Sequence, residues 1–369
     1  MKEKVLVFGA GALSLGFLGP MLARDYELVF CDLDIKRDVV ALLQKEHAYL
    51  VNICAETITP LLITGVGGLN LSCGPDNKRA RELLKDSRLV FTAVGSGGFA
   101  GTLEFIRENK GPGELFVFSC ENDKRIQPGP GGPSTDGTIP CETIMGRMCR
   151  MDSEGERYRA LGPSLRTAAV AEEFSGLPIS IAIHRRAGLK GKAWQPMTEE
   201  EFKARMQLKL YAHNGSHAYL SYLGALEGLT YFHETGTRRR TEAESLLQDE
   251  VIPAVLNAYG RSIDREQVRQ YAASLVERIT RPTFGDTIAR GARGSWDKIA
   301  AGERLAEGAR FILRHGYTPN FFCRTIAAGI ELNRPGGTSP ETVDSILREH
   351  CGIREYQLIS LVNSGMEAL

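Results

Sequence analysis

Val5-Leu6-Val7-Phe8-Gly9-Ala10-Gly11, an apolar stretch from about Ala12 to Arg24, and then Leu28-Val29-Phe30-Cys31-Asp32 decide the fold. The opening run is short and rich in Val and Phe, as in a strand buried on both faces, and its closing glycines open a stretch with helical spacing. A second short apolar run follows, so these residues form a strand–helix–strand unit of a parallel sheet. Gly9, Ala10 and Gly11 let the backbone approach a pyrophosphate, which the amides at a helix start then hold. Asp32, 21 residues beyond Gly11, stands where a carboxylate accepts hydrogen bonds from an adenosine ribose and repels a 2′-phosphate. An isolated Gly-x-Gly is as readily a tight turn. The whole strand–glycine–helix–strand–acid run favours a dinucleotide, NAD over NADP, although Ser14 replaces the usual third glycine and Gly16 follows it.

Outward from this unit, Leu89 to Val94 and Leu115 to Ser119 read as further parallel strands, ended by Gly95 and by Cys120-Glu121-Asn122. The carboxyl ends of such strands bind ligands, which makes Val94 and Gly95 candidate cofactor contacts. Val170 to Phe174 and Ile179 to Ile183 read as later strands. Gln127 to Pro140, with Pro128-Gly129-Pro130-Gly131-Gly132-Pro133, reads as an exposed inserted loop. Beyond Gly188 and Gly191 helical spacing dominates from about Thr198. The expected organisation is an α/β Rossmann dinucleotide-binding domain over 1–190 and a mainly α-helical domain over 191–369.

Composition agrees with two domains: 369 residues, at about 100–200 per domain. Hydrophobic residues at 43% and charged residues at 24% supply two cores without wholesale disorder. The balance of 45 basic against 45 acidic side chains gives no excess positive potential for nucleic acid. No apolar run is long enough for a membrane span, and Met1-Lys2-Glu3-Lys4 passes straight into the first strand, unlike a signal peptide. The eight cysteines are scattered without a Cys-x-x-Cys pair, so reduced thiols in a cytoplasm, and no metal site, are expected.

The helical half contains Lys209-Leu210-Tyr211-Ala212-His213-Asn214-Gly215-Ser216-His217-Ala218. On a continuous helix at about 100° per residue, Asn214 and His217 lie about 140° and 80° around from Lys209. Three polar groups then converge on one substrate carbon. On spacing alone the plainer reading is favoured: Lys209 solvated, Asn214 capping at Gly215, His217 a core histidine. His213, four residues from Lys209, is a rival histidine.

These segments together resemble the polyol-specific long-chain dehydrogenases, which include mannitol dehydrogenases, mannitol-1-phosphate 5-dehydrogenases and some hexuronate reductases. The resemblance rests on Phe8-Gly9-Ala10-Gly11 with Gly16-Phe17, Thr92-Ala93-Val94-Gly95, Cys120-Glu121-Asn122, Lys209-x4-Asn214-x2-His217 with Ala218-Tyr219-Leu220, and Arg290-x7-Lys298 before Gly302-x-Arg304-Leu305. Length and the Phe-Gly-Ala-Gly turn look most like the mannitol-1-phosphate branch, and the lysine signature overturns the plainer reading. The resemblance makes Lys209 the general base, has Asn214 and Asn122 polarise the reacting oxygen, places His217 against a neighbouring hydroxyl, and turns Arg290 and Lys298 toward substrate. Met206-Gln207-Leu208 lacks the carboxylate often found just before the lysine. It implies an NAD-dependent enzyme, monomer or homodimer, acting on a sugar alcohol or sugar phosphate. A sugar-acid reductase of the same family and a catalytically silent nucleotide sensor are the alternatives. Free lysine titrates near 10.4, so such a base needs burial or nearby positive charge to lower it. Arg290 and Lys298 are candidates for that charge, on a segment where Gly291 and Gly294 argue against an unbroken helix.

Overall fold

The computed structural model describes residues 2–121, 136–153, 157–173, 176–334 and 339–369. Two compact units divide the chain, Met1–Thr198 and Glu199–Leu369.

In the first unit the strands are β1 (Glu3–Phe8), β2 (Tyr26–Asp32), β3 (Ala48–Cys54), β4 (Ile58–Thr64), β5 (Val66–Asn70), β6 (Leu89–Thr92), β7 (Leu115–Ser119), β8 (Thr138–Glu142), β9 (Cys149–Asp152), β10 (Ala168–Glu172), β11 (Leu177–Ser180) and β12 (Trp194–Met197). Six of them form one sheet in the order β5-β2-β1-β6-β7-β8, every pair parallel. Renumbered one to six in chain order, these strands lie 3-2-1-4-5-6, the doubly wound dinucleotide-binding topology. Val5 and Val7 pack into one apolar cluster and Leu6 and Phe8 into another, which is why β1 is apolar at every position from Val5 on. β3 and β4 form an antiparallel hairpin, β3 pairs in parallel with β10, and β10 pairs antiparallel with β9. β12 pairs in parallel with β11, so residues beyond 190 still belong to this unit.

Two expected elements differ. Ile179 to Ile183 is not a strand throughout: after β11 the chain turns into a helix, Ile181–Ala187, because the Ser180 hydroxyl accepts the Ala182 N–H at 3.3 Å and caps it. Thr138 to Pro140, expected inside the proline-glycine loop, opens β8, while Gln127 to Thr135 lie outside the described residues.

The first helix must accommodate Pro20. Without an N–H, proline leaves the Gly16 carbonyl without its regular partner. The backbone widens over Ser14–Leu18, where the Gly19 N–H bonds five residues back to the Ser14 carbonyl, before the regular turn Gly19–Leu22. The Tyr49 hydroxyl donates to the freed Leu15 carbonyl at 2.9 Å, and the buried Arg147 guanidinium to the Gly16 carbonyl at 3.2 Å. Gly19 is required here, since a Cβ would lie 1.7 Å from the Tyr49 hydroxyl.

Among its described residues the named elements of the second unit are all helices, with one isolated bridge, Tyr231 to Thr287. Its first long path runs Glu199–Gln207, a widened turn Leu208–His213, and Asn214–Leu226. Short helices Ile288–Ala292 and Ser295–Ile299 are broken at Gly294, whose φ of +63° is left-handed. The helix Asn320–Asn333 lies in the core, with Phe322 fully buried. Among the described residues no helix is long and apolar enough to cross a membrane.

Tyr49→Phe leaves the Leu15 carbonyl without a donor in the buried interior. The expected cost is about 1–3 kcal/mol, read as a lower urea midpoint of the first unit's transition. An unchanged midpoint would show that the widened turn does not depend on this hydroxyl.

Candidate active site

In the first unit, a cavity of about 690 Å³ opens at the carboxyl ends of β1, β2 and β6, lined by Gly9, Gly11, Asp32, Leu33, Ile35, Val94 and Gly95 among others. It sits where the strand order reverses between β1 and β6. Gly9 has φ +102°, and a Cβ there would lie 2.4 Å from the Ala93 carbonyl oxygen, so only glycine permits this crossing. Asp32 Oδ2 accepts the Ala10 N–H at 2.6 Å and Oδ1 accepts the Leu33 N–H at 2.7 Å. It thereby pins the glycine turn to the end of β2 and keeps lone pairs for further donors. Val94 and Gly95 lie on the cavity wall, but their N–H groups are both taken by Glu121, at 2.8 and 2.9 Å. Glu121 is buried, and its carboxylate fills the donor pair ahead of the helix Ser96–Asn109. The Cys120-Glu121-Asn122 run gives no local sign of this role, since the two amides lie 26 and 27 residues away. Asn122 lies outside the described residues.

In the second unit, Lys209, His213, Asn214 and His217 are all half-buried on one helical path. The path is not a regular helix: the Asn214 N–H bonds to the Lys209 carbonyl, five residues back. This wide turn reduces the rotation per residue and brings Asn214 further round toward Lys209 than the regular 140°. The helix continues through Gly215, so Asn214 is not a terminal cap. Asn214 Nδ2 and His213 Nδ1 are buried and meet no hydrogen-bond partner among the described residues. Burial, together with Arg304, brings the Lys209 ammonium down to about 7. His213 is pushed well below the ordinary histidine range by burial and by Arg278, His217, Lys209 and Arg290.

His217 Nε2 lies 3.2 Å from Asp286 Oδ2. Arg290 grips the same carboxylate through Nε and Nη2. Burial raises the Asp286 carboxyl, but the hydrogen bonds from His217 and Arg290 outweigh it and hold the group well below the ordinary carboxylate range. Lys298 Nζ donates to the Gly291 carbonyl at 2.8 Å. Burial, then Arg304 and Arg290, bring Lys298 down to about 8. The structure thus brings Arg290 and His217 together through Asp286, and Lys298 beside them through Gly291. Asp286 and the charge of Arg304 were not foreseen. The four-residue spacing of Asp286 and Arg290 was the available signal for the first.

The chain is similar to known dehydrogenases over most of its length. Residues 201–356 match the family model for the mannitol dehydrogenase C-terminal domain. A mannitol-1-phosphate 5-dehydrogenase of Caldanaerobacter subterraneus subsp. tengcongensis is 25% identical over 351 residues, covering 89% of this chain and 86% of the relative. Another, from Exiguobacterium sp., is 24% identical over 365 residues, covering 94% and 90%. Among solved structures, Pseudomonas fluorescens mannitol 2-dehydrogenase, in a ternary complex with NAD and D-mannitol, matches with a TM-score of 0.74 at 13% identity, over 100% of this chain and 92% of the other. A D-sorbitol dehydrogenase matches with a TM-score of 0.71 at 14% identity, over 100% and 93%. Residues 201–356 thus carry the mannitol dehydrogenase C-terminal domain, and with the doubly wound sheet in its first unit the chain is similar along most of its length to oxidoreductases of the mannitol dehydrogenase family.

Proposed function

We propose that the chain is an NAD-dependent dehydrogenase of a secondary alcohol that needs no metal. It interconverts a polyol or polyol phosphate, of the mannitol 1-phosphate type, with its ketose, of the fructose 6-phosphate type. The observation that carries this reading is Lys209, an amine whose charged form is destabilised by burial and by Arg304. It stands one wide turn from an Asn214 amide with an unspent donor. The relatives' names supply the substrate class.

The first unit's cavity fits a dinucleotide. A Cβ on Gly11 would meet nothing within 4 Å, so the backbone there faces open space for a pyrophosphate. Leu33 and Ile35, 57% and 86% exposed, give the rim an apolar surface for an adenine ring. Gly9, Ala10 and Gly11 shape the turn, Asp32 is the ribose acceptor, and Val94 and Gly95 bound the cavity by backbone contact. When bound, NAD supplies the hydride acceptor for alcohol oxidation.

The chain's own residues handle the proton and the developing charge. Lys209 Nζ, neutral above about pH 7, takes the carbinol proton. Asn214 Nδ2 donates to the oxygen that becomes the carbonyl, a role that the family resemblance alone also gives to Asn122. Arg304 disfavours the lysine's charge and favours negative charge on that oxygen. His217, Arg290 and Lys298 hold the remaining substrate groups. We place the enzyme in the cytoplasm, as a monomer or homodimer.

NADH is expected to exceed NADPH in catalytic efficiency by about tenfold or more, since about 1.4 kcal/mol of repulsion at Asp32 already gives that factor. Lys36 also lines the cavity and limits the preference. Equal efficiencies would remove the ribose role from Asp32. Lys209→Ala is expected to lower ketose reduction about 10²–10⁴-fold, with NADH affinity unchanged in a fluorescence titration. In the wild type, alcohol oxidation should rise with pH through about 7 and level off, because the neutral amine is the base, and ketose reduction should fall over the same range. Folding stability should respond as well. With the folded pKa below the unfolded one, the unfolded chain holds the extra proton between them, so stability rises with pH from about 7 toward 10.4. Retained activity in Lys209→Ala would end the assignment of the base.

A further inference from the structure

We infer that Asp286 is a positioning residue of the substrate site. It fixes His217 as a hydrogen-bond acceptor and cancels the charge of Arg290, so that this part of the site recognises substrate hydroxyls and not a phosphate or carboxylate. The inference rests on the proposed function and goes beyond it by assigning which substrate groups these two side chains meet.

The Asp286 side chain has no exposure to solvent. Its place is fixed by its surroundings: Oδ1 accepts the Thr287 N–H at 2.9 Å, and its carbonyl accepts the Phe232 N–H at 3.1 Å. The Thr287 hydroxyl accepts the Arg290 N–H at 3.3 Å and starts the helix Ile288–Ala292, which turns the arginine back onto the carboxylate. The His217 ring is held from several sides. Phe232 lies against it with centroids 4.5 Å apart, and a Cβ on Gly291 would come within 3.0 Å of His217 Cε1. The hydrogen bond of Nε2 to Asp286 adds a third contact that orients the ring.

A buried carboxylate gripped by a guanidinium is anionic, and an anionic carboxylate only accepts. The hydrogen of a neutral His217 therefore resides on Nε2, and Nδ1 carries the lone pair. The groups acting on this ring are Asp286, which favours its charged form, and burial, Arg290 and Lys298, which disfavour it and prevail. A lone pair accepts from a hydroxyl, whereas a phosphate dianion or a carboxylate has no hydrogen to give. Arg290 leads to the same result. Its charge is matched by Asp286, and an anion arriving there would meet that carboxylate as well as the guanidinium. Attraction for the anionic end of a phosphorylated substrate is left to the other cations around the site: Lys298 itself, Arg304 and Arg293, whose charges act on it, and Arg278, whose charge acts on His213.

Two measurements test this. In wild-type protein labelled with ¹⁵N-histidine, with His217 assigned by loss of its signals in His217→Gln, the neutral Nε2–H form is expected at neutral pH. An Nδ1–H tautomer or an imidazolium there would overturn the inference. In Asp286→Asn, which keeps the shape and removes the charge, Arg290 loses the carboxylate that balances it. Inorganic phosphate should then compete with the ketose at a concentration about tenfold lower or less, while KM for the ketose rises, kcat falls and NADH affinity stays. A drop in melting temperature with phosphate affinity and the KM-to-kcat balance unmoved would reduce Asp286 to a structural role. Should Asp286→Asn fail to fold, the wild-type tautomer decides alone. Should no ketose be reduced at all, the proposed function falls, while the tautomer and phosphate binding still decide the role of Asp286.

Discussion

A carboxylate removed from water costs several kcal/mol unless donors meet it, and both units are organised around such groups. In the first, Glu121 takes the Val94 and Gly95 N–H groups and Glu172 takes the Met148 N–H at 2.7 Å. In the second, Glu250 accepts the N–H groups of Phe321 and Phe322, although burial still pushes its carboxyl up to about 8, and so caps a helix whose own N-cap, Pro319, has no side-chain acceptor. Asp286 joins Arg290, four residues on, to His217, 69 residues back along the chain. Each group demands donors at fixed points, so each ties a loop or helix start to one position. Part of the cavity wall, Val94 and Gly95, and the group of His217, Asp286 and Arg290 are held by satisfying these few acceptors.

The same constraint explains what the sequence disclosed. β1, β2, β6 and β7 were legible because strands buried on both faces are short, continuous apolar runs. The glycine turn and Asp32 were legible because their chemistry is local. The hairpin of β3 and β4 was not foreseen: β4 places Leu61 and Leu62 at 42% and 58% exposure, so its residues lack the clean alternation of a half-buried strand. β8 was hidden by the adjoining prolines and glycines. At the site, Lys209, Asn214 and His217 were recovered as a local motif. Asp286 and Glu121 escaped because a buried acid is recognised by its donors, and His217 and Val94 stand far from them along the chain.

The angular expectation for Lys209 and Asn214 assumed a regular helix, and the widened turn shows why it did not hold. Among the described residues three such turns occur. Two of them, over Ser14–Leu18 and Leu246–Val251, close with a five-residue bond from Gly19 or Ile252, immediately before Pro20 or Pro253. There the missing proline N–H lets the chain itself favour a wider turn. The third, over Leu208–His213, closes at Asn214 before Gly215, and no proline is near.

That turn has to be maintained by packing. A Cβ on Gly215 would lie 2.7 Å from the Phe322 ring, and one on Gly308 would lie 2.4 Å from the same ring and 3.0 Å from Tyr211, which belongs to the widened turn. Tyr211 in turn meets Phe322 edge-on and Phe311 at 5.1 Å. Two glycines and three aromatic rings therefore fix the wide turn from outside. Widened turns without a local cause persist where the surroundings over-determine them, and they gather at functional sites. Here the packing acts on the residue whose carbonyl closes the turn, Lys209, and on the residue whose N–H closes it, Asn214. The geometry of the base and of the amide beside it thus depends on the helical core, through the packing of Phe322 on Tyr211 and Gly215.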